Sequence, residues 1–393
     1  MKPASCLVAV FLVLNPAISL ALTPTEARNE LARLGVRYDT DSFIHQAFRG
    51  TEAVIELFLT AGMQPDIRVG NRQTALMMAS IHGRIGIVKR LLDVGADPNA
   101  TSDADSPLNG AARNNRLEIV RLLLVRGARP DVVPGQGSSA LQQAILAGHF
   151  EVVETLLAHK ANPNLRHAPH ERPPLITALW SGSATVQLLL AKGADVNGRA
   201  PSTGRTPLME AASSGLVEVM ALLIGHRADL NAGDDAGFTA LMHAAAKGQT
   251  DSVRALLQAG ADVSTRNRYG ETVMRAAVDA DAAKPETVTL LLERGANVND
   301  GFRGGHTLLI LAVNRRHREM TRLLLGRGAN VNAATEDGFT ALMMAAVHGD
   351  VDIAKLLVAA GAKDIGTALS VAEGSDIPYP EMIEYLQSIG ARK

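Results

Sequence analysis

"GFTALMHAAAKG", Gly237 to Gly248, has a near copy in "GFTALMMAAVHG", Gly338 to Gly349. The Gly-Phe-Thr-Ala-Leu-Met opening, the alanines and the closing glycine stay fixed between the two, while the histidine moves. A pattern that keeps its small residues and moves its proton carrier reads as scaffold. Thr239 stands where a helix N-cap would accept a free backbone N–H. Ala244 and Ala245 let a neighbouring helix approach closely, and Gly248 ends the helix and turns the chain back. Val253, Leu256 and Leu257 then form the apolar stripe of a second helix, which Gly260 terminates.

The unit recurs along the chain. Aligning on Thr-x-Leu places Thr74, Ser106, Ser139, Pro173, Thr206, Thr239, Thr272, Thr307 and Thr340 at steps of 32 to 35 residues. Most units run on to a Leu pair and Gly-Ala-x-x-Asn, as in "TALMMASIHGRIGIVKRLLDVGADPN" from Thr74 to Asn99. One unit cannot bury its own stripe, whereas stacked neighbours can.

This pattern resembles the ankyrin-repeat family, whose usual unit opens Gly-x-Thr-Pro-Leu-His. It is similar to an exported, bacterial-type member with about eleven units. The resemblance implies an all-α repeat solenoid, an ankyrin-like stack of helix-turn-helix units joined by β-hairpin fingers. It spans 39–393, with capping units at 39–69 and 364–393 and a lead-in at 22–38. Met77, Met209, Met242 and Met343 stand where the family usually has His. A flexible apolar side chain there fills a core gap instead of bonding across the start of the unit.

The first residues read differently. Lys2 precedes an apolar run from Leu7 to Leu14, with Pro16, Ser19 and Ala21 after it. Eight residues of helix span roughly 12 Å, against about 30 Å of hydrocarbon. The expectation is a signal peptide at 1–21, cut after Ala21, and a protein exported to the periplasm or secreted. Cys6 is the only cysteine and lies inside that segment, so the rest of the chain has no thiol or disulfide chemistry.

Composition narrows function further. The 393 residues carry a formal net charge of −1 and 3% aromatics, so nothing directs the chain to nucleic acid. No G-x-S-x-G elbow, H-E-x-x-H pair, phosphate-binding glycine loop or Cys-x-x-Cys occurs. The expectation is a non-enzyme with no cofactor and no metal. The alternative is a metal-dependent module on the His-rich finger 159–170, with His159, His167 and His170, although no Cys or paired carboxylate completes a tetrahedral set there.

What remains is a surface. The family resemblance implies that partners meet a concave side formed by finger tips and by the ends of first helices. Carried onto this chain, the finger positions are Arg172, Arg205, Phe238, Arg268, Tyr269, Arg303, His306 and Phe339. The helix-end positions are Arg113, Trp180, Lys247, Arg315 and His348, and Arg72, Gln73, His82 and His170 occupy related places. Phe238 and Phe339 either contact a partner or pack along their fingers. Trp180 either contacts a partner or packs on the proline-rich finger beside it. Glu271, Asp279, Glu336 and Asp337 offset the arginines, so the expected partner is a protein or peptide rather than a polyanion. Binding is expected to inhibit or position that partner, the alternative being a secreted effector without catalysis, and the chain itself to be monomeric and not membrane-bound.

Overall fold

A computed structural model describes residues 22–390, except 71, 136, 167–170, 281–282 and 376–378. The segment expected to be a signal peptide, 1–21, lies outside the described residues, as do His167 and His170. The chain divides into two compact units, Met1–Asp195 and Val196–Lys393.

In the first unit, first helices Thr40–Arg49, Ala75–Ile81, Pro107–Arg113, Ala140–Ala147 and Pro174–Ala178 alternate with second helices Glu52–Thr60, Ile85–Asp93, Leu117–Val125, Phe150–Ala158 and Ser183–Ala191. In the second unit, first helices Pro207–Ser213, Ala240–Ala246, Val273–Asp279, Leu308–Asn314 and Ala341–Val347 alternate with Val217–Gly225, Thr250–Ala259, Pro285–Glu293, Arg318–Gly326 and Val351–Ala359. Ile365–Glu373 and Pro380–Gly390 close that unit. The period therefore reports one helical pair per repeat.

Most first helices are only seven residues long, too short to persist alone in water. Two features hold them. Most starts are capped: Thr74, Ser106, Ser139, Thr206, Thr239, Thr307 and Thr340 accept the backbone N–H three residues on through their hydroxyls, whereas Pro173 and Thr272 make no such bond. Within each unit, each first helix also packs on the next first helix through alanines that are almost wholly buried, such as Ala79, Ala112 and Ala144, then Ala212, Ala245 and Ala346. The second helices contribute Val88, Leu91, Leu123 and Leu156 to the core of the first unit, and Val253, Leu256 and Leu357 to that of the second. The methionines at the family's histidine position, Met77, Met209, Met242 and Met343, are buried core residues.

The repeated asparagine has a partner one repeat away. Asn99 Oδ1 accepts the N–H of Arg129 at 2.7 Å while its amide donates to the Gly127 carbonyl at 3.0 Å. Asn164 does the same to Asp195 and Gly193. In the second unit Asn299 bonds Asn330 and Gly328, and Asn332 bonds Lys363 and Gly361. Asn197 and Asn231 accept from Asp229 and Asp262. At Asp66 and Asp131 a carboxylate accepts from Asp97 and Asn162 but has no amide to give. The ladder breaks at Ser264, whose hydroxyl bonds Asp262 in its own loop.

The segment 22–38, expected as a lead-in, carries a helix of its own. Pro24–Arg33 starts in a capping box between Thr23 and Glu26 and packs on Glu52–Thr60. Tyr38 behind it stacks on Phe58 with ring centroids 5.8 Å apart. Arg28 lies over the Tyr38 ring, and both Arg28 and Tyr38 donate to the Ala61 carbonyl. Among the described fingers a regular hairpin forms at Gly301–Phe302 with His306–Thr307, and single bridges join Val69 to Gln73 and Ala334 to Thr340.

The ladder yields paired predictions. Asn299→Ala removes one accepted and one donated bond and should destabilise the second unit by about 1–2 kcal/mol in urea melts. Ser264→Asn should raise the melting temperature by supplying the missing link to Asn297. An unchanged or lower melting temperature would show that the serine position is not a gap in the ladder.

Candidate functional site

Finger tips are set by side chains that accept their own backbone. Asp234 Oδ1 accepts from the N–H groups of Ala236 and Phe238, both at 2.9 Å. Asn267 does the same for Tyr269 and Glu271, and the Thr335 hydroxyl accepts from Phe339. Neighbouring fingers of the second unit are then tied backbone to backbone. Asp235 N–H donates to Thr203, Arg268 N–H to Ala236, and Glu336 N–H to Gly304. Side chains on these tips stand on a fixed platform, so little conformational entropy would be lost on covering them.

The histidine that moves between the two opening copies proves to be a structural anchor of one finger. His243 is 8% exposed, and its Nε2 lies 2.8 Å from Asp234 Oδ2. Its Nδ1 faces Arg205 Nη2 at 3.3 Å, and Arg205 also approaches Glu210 at 3.6 Å. A guanidinium can only donate, so Nδ1 accepts and Nε2 carries the proton toward the carboxylate. The neutral ring satisfies both neighbours; a second proton would point at Arg205. Burial and then the Arg205 charge hold the His243 pKa below its ordinary value, against the opposing pull of Asp234. Burial also disfavours the Asp234 carboxylate, but the N–H groups of Phe238 and Ala236 together with His243 outweigh it and hold that pKa low. The Phe238 ring packs beside His243 at 5.7 Å.

The proposed contact residues fall into two groups. Several are engaged within the fold: Arg113 pairs with Asp105, Arg315 with Asp279, and Arg205 and Phe238 belong to the His243 cluster. His306 stacks on Phe302, which also carries Arg275 over its face, and His348 bonds Asn314. Others stand clear. Trp180 and Tyr269 are each 53% exposed and Phe339 38%. Arg172, Lys247, Arg268 and Arg303 are exposed as well. Trp180 and Arg172 belong to the first unit, whereas Tyr269, Phe339, Lys247, Arg268 and Arg303 belong to the second, and each group is a surface of its own unit. Asp234, Glu210 and Asn267, which fix the fingers, were not singled out in the sequence. The signal for Asp234 and Asn267 was a small polar residue three places before the finger glycine, whereas Glu210 lies within a first helix and carries no such mark.

Catalytic geometry is a poor fit to these surfaces. The Asp234–His243 pair is buried and engaged by Arg205 and the finger backbone. Among the described residues no group of three or more His, Cys, Asp or Glu side chains could hold a metal. His159 Nδ1 bonds the Thr155 carbonyl in its own helix. A cleft is lined by Glu56 and Arg90, whose charges close on each other in a two-bond ion pair at 2.6 and 2.9 Å.

Stacked helical pairs with a solvent-facing row of fingers define a repeat scaffold for protein–protein contact. The family model "Ankyrin repeats (3 copies)" matches residues 43–134, 108–200, 198–267 and 268–368, so the chain belongs to the ankyrin-repeat family. It is similar to ankyrin repeat and SOCS box protein 11 of Mus musculus, 34% identical over 123 residues, 31% of this chain and 38% of that protein. It is also similar to the B-cell lymphoma 3 protein homolog of Mus musculus, 35% identical over 170 residues, 43% of this chain and 38% of that protein. The crystal structure of the human ASB11 ankyrin repeat domain aligns at 28% identity with a TM-score of 0.48, covering 56% of this chain and 98% of that one. The chain thus matches little more than a third of the length of these curated relatives. Ankyrin repeats are scaffolds rather than catalysts. The bacterial-type, exported reading is corrected: these relatives are mammalian proteins, which overturns the periplasmic or secreted placement together with the bacterial class.

The His243 cluster predicts a pH dependence. Because the folded pKa lies below the unfolded value of 6.5, its stabilisation is present above that value and is lost as pH falls through the folded pKa. Thermal melts from pH 8 to pH 5 should show a larger loss of stability for the natural protein than for His243→Gln. At pH 8 the Gln variant should be less stable by about 1–3 kcal/mol, because Asp234 loses a well-placed donor. Parallel curves for the two proteins would refute this role.

Proposed function

We propose that the fingers and first-helix ends form the contact face for a protein or peptide partner, which binding inhibits or positions. The observation that carries this reading is the exposure of Tyr269 and Phe339 on fingers held rigidly by their own hydrogen bonds, in a chain where aromatics are 3% of residues. Large flat side chains with few rotamers give contact area at small entropic cost, and arginines are the other residue type enriched at binding hot spots. Arg268 and Arg303 supply that element beside Tyr269 and Phe339, and Lys247 adds a cation at a helix end. In the first unit Trp180 and Arg172 offer the corresponding pair. Arg113, Arg205 and Arg315 serve more as spacers than anchors, because a partner would have to break an existing ion pair to use them. Phe238, His306 and His348 contribute their outer edges to the same face.

The partner is a folded protein or a peptide of mixed charge, since carboxylates at Glu271 and Asp279 stand beside the cations. Tyr269→Ala and Trp180→Ala are the direct tests. With a partner recovered by affinity capture from the native source, each variant should weaken binding by about tenfold, or about 1.4 kcal/mol, with no loss of helicity. Undiminished affinity in both variants would remove the finger face from the account.

A further inference from the structure

The inter-helix turns of the first unit carry a row of cations beside the first-helix ends. Arg84 begins one second helix and Arg116 begins the next, one repeat apart. Each reaches back to the preceding repeat. Arg84 Nε donates to the Phe48 carbonyl at 3.3 Å, and Arg116 Nε to the Ile81 carbonyl at 3.4 Å. Their seats are the turn glycines of that preceding repeat. A Cβ on Gly50 would stand 2.7 Å from Arg84 Nε, and one on Gly83 would stand 3.0 Å from Arg116 Nε. Both glycines also have left-handed φ, 81° and 76°, so the turn and the seat require the same residue. With Nε anchored, each guanidinium is fixed in place, and its two terminal nitrogens are left for a further acceptor.

These charges are not neutralised from within. Among the described residues no carboxylate stands at ion-pair distance from Arg49, Arg84 or Arg116. The inter-helix arginines of the second unit, Arg315 and Arg316, have Asp279 and Asp350. Glu52, the nearest acid in sequence to the Arg49 turn, lies over Gly86 instead. His82 sits on the same edge; burial and then the charges of Arg84 and Arg116 lower its pKa, in keeping with an uncompensated positive field. Beside the cations is an apolar platform. Phe48, 39% exposed, packs edge to face with the His82 ring, centroids 4.3 Å apart, and Ile85 is exposed next to Arg84.

We propose that this edge docks an acidic peptide segment, its carboxylates on Arg84 and Arg116 and an apolar side chain on Phe48 and His82. Charge complementarity selects the occupant: two anchored guanidiniums present paired donors that match carboxylates. Adjacent repeats stack at about 10 Å and an extended chain rises about 3.3 Å per residue, so acids three residues apart reach both arginines. Phe48 and His82 stand at first-helix ends, so this edge rests on the helix-end part of the proposed contact face, deepened for the first unit, while using none of its fingers.

The test uses the full chain and a fluorescein-labelled extended peptide of about twelve residues with Glu at every third place and Leu or Phe between. Fluorescence anisotropy should show saturable binding that weakens with added salt and is absent for the same peptide with Gln in place of Glu. Arg84→Gln with Arg116→Gln should lower affinity by at least about tenfold. Phe48→Ala, which leaves both cations and the helix caps intact, should lower it measurably as well, and Tyr269→Ala should leave it unchanged. Equal binding by the arginine double variant and by Phe48→Ala would overturn the proposal. So would binding to phosphatidylserine vesicles, or to a phosphoserine peptide, without binding to the carboxylate peptide.

Discussion

The interaction on which the architecture depends is the bond from one repeat's loop to the next repeat's backbone. A lone helical pair has short helices and a stripe it cannot cover, so its stability comes from its neighbour. Packing of alanine on alanine brings the pairs together but does not by itself fix their register. The asparagine ladder does, because Oδ1 and Nδ2 of one side chain engage a backbone N–H and a carbonyl that belong to the following repeat. A slip between repeats would break both bonds. The finger backbones of the second unit carry a parallel set of links, and the turn arginines of the first unit carry another along its edge.

This arrangement accounts for how the proposed contact face can be presented. Each repeat holds its finger by a local acceptor, Asp234, Asn267 or Thr335, and joins it to its neighbour. The residues left over, Tyr269, Phe339, Arg268 and Arg303, are positioned by the scaffold without being used by it. Charges divide the same way. In the second unit the inter-helix arginines close ion pairs with aspartates one repeat away, and in the first unit they anchor through Nε to carbonyls and keep their remaining donors free. Exposed ion pairs of the first kind contribute little stability. On the proposed contact face, such pairs would take cations out of reach of a partner.

Much of the fold is legible in the residues because its signals are local and repeated. Thr239 caps, Ala245 packs and Leu256 is buried at phases that recur unit after unit, so each copy supports the others. The asparagine is visible as a repeated letter, but its partner 30 to 32 residues away is not. The candidate site was less legible, for a physical reason. Whether Arg315 faces solvent or Asp279 depends on a carboxylate 36 residues earlier, and whether Phe238 is free depends on His243 beside it. His243 itself occurs at its phase in one repeat, and alignment by period carries no information about a contact made once. The lead-in helix Pro24–Arg33 was missed for the same reason, since it lies outside the period and is recognised by its Thr23–Glu26 capping box. The export assignment rested on the first 21 residues and on composition, and the mammalian relatives overturn it.

Residue-resolved amide hydrogen exchange tests the central claim most directly. The amides that receive the ladder bond, those of Arg129, Asp195, Asp229, Asp262, Asn330 and Lys363, lie in surface loops where nothing but that bond slows exchange. Asn297 occupies the same place in its loop, one repeat after Ser264, and receives no such bond. The ladder account predicts clear protection at those amides and fast exchange at Asn297. Equal exchange at Asn297 and at its counterparts would contradict it, and the register of the repeats would then have to come from helix packing alone.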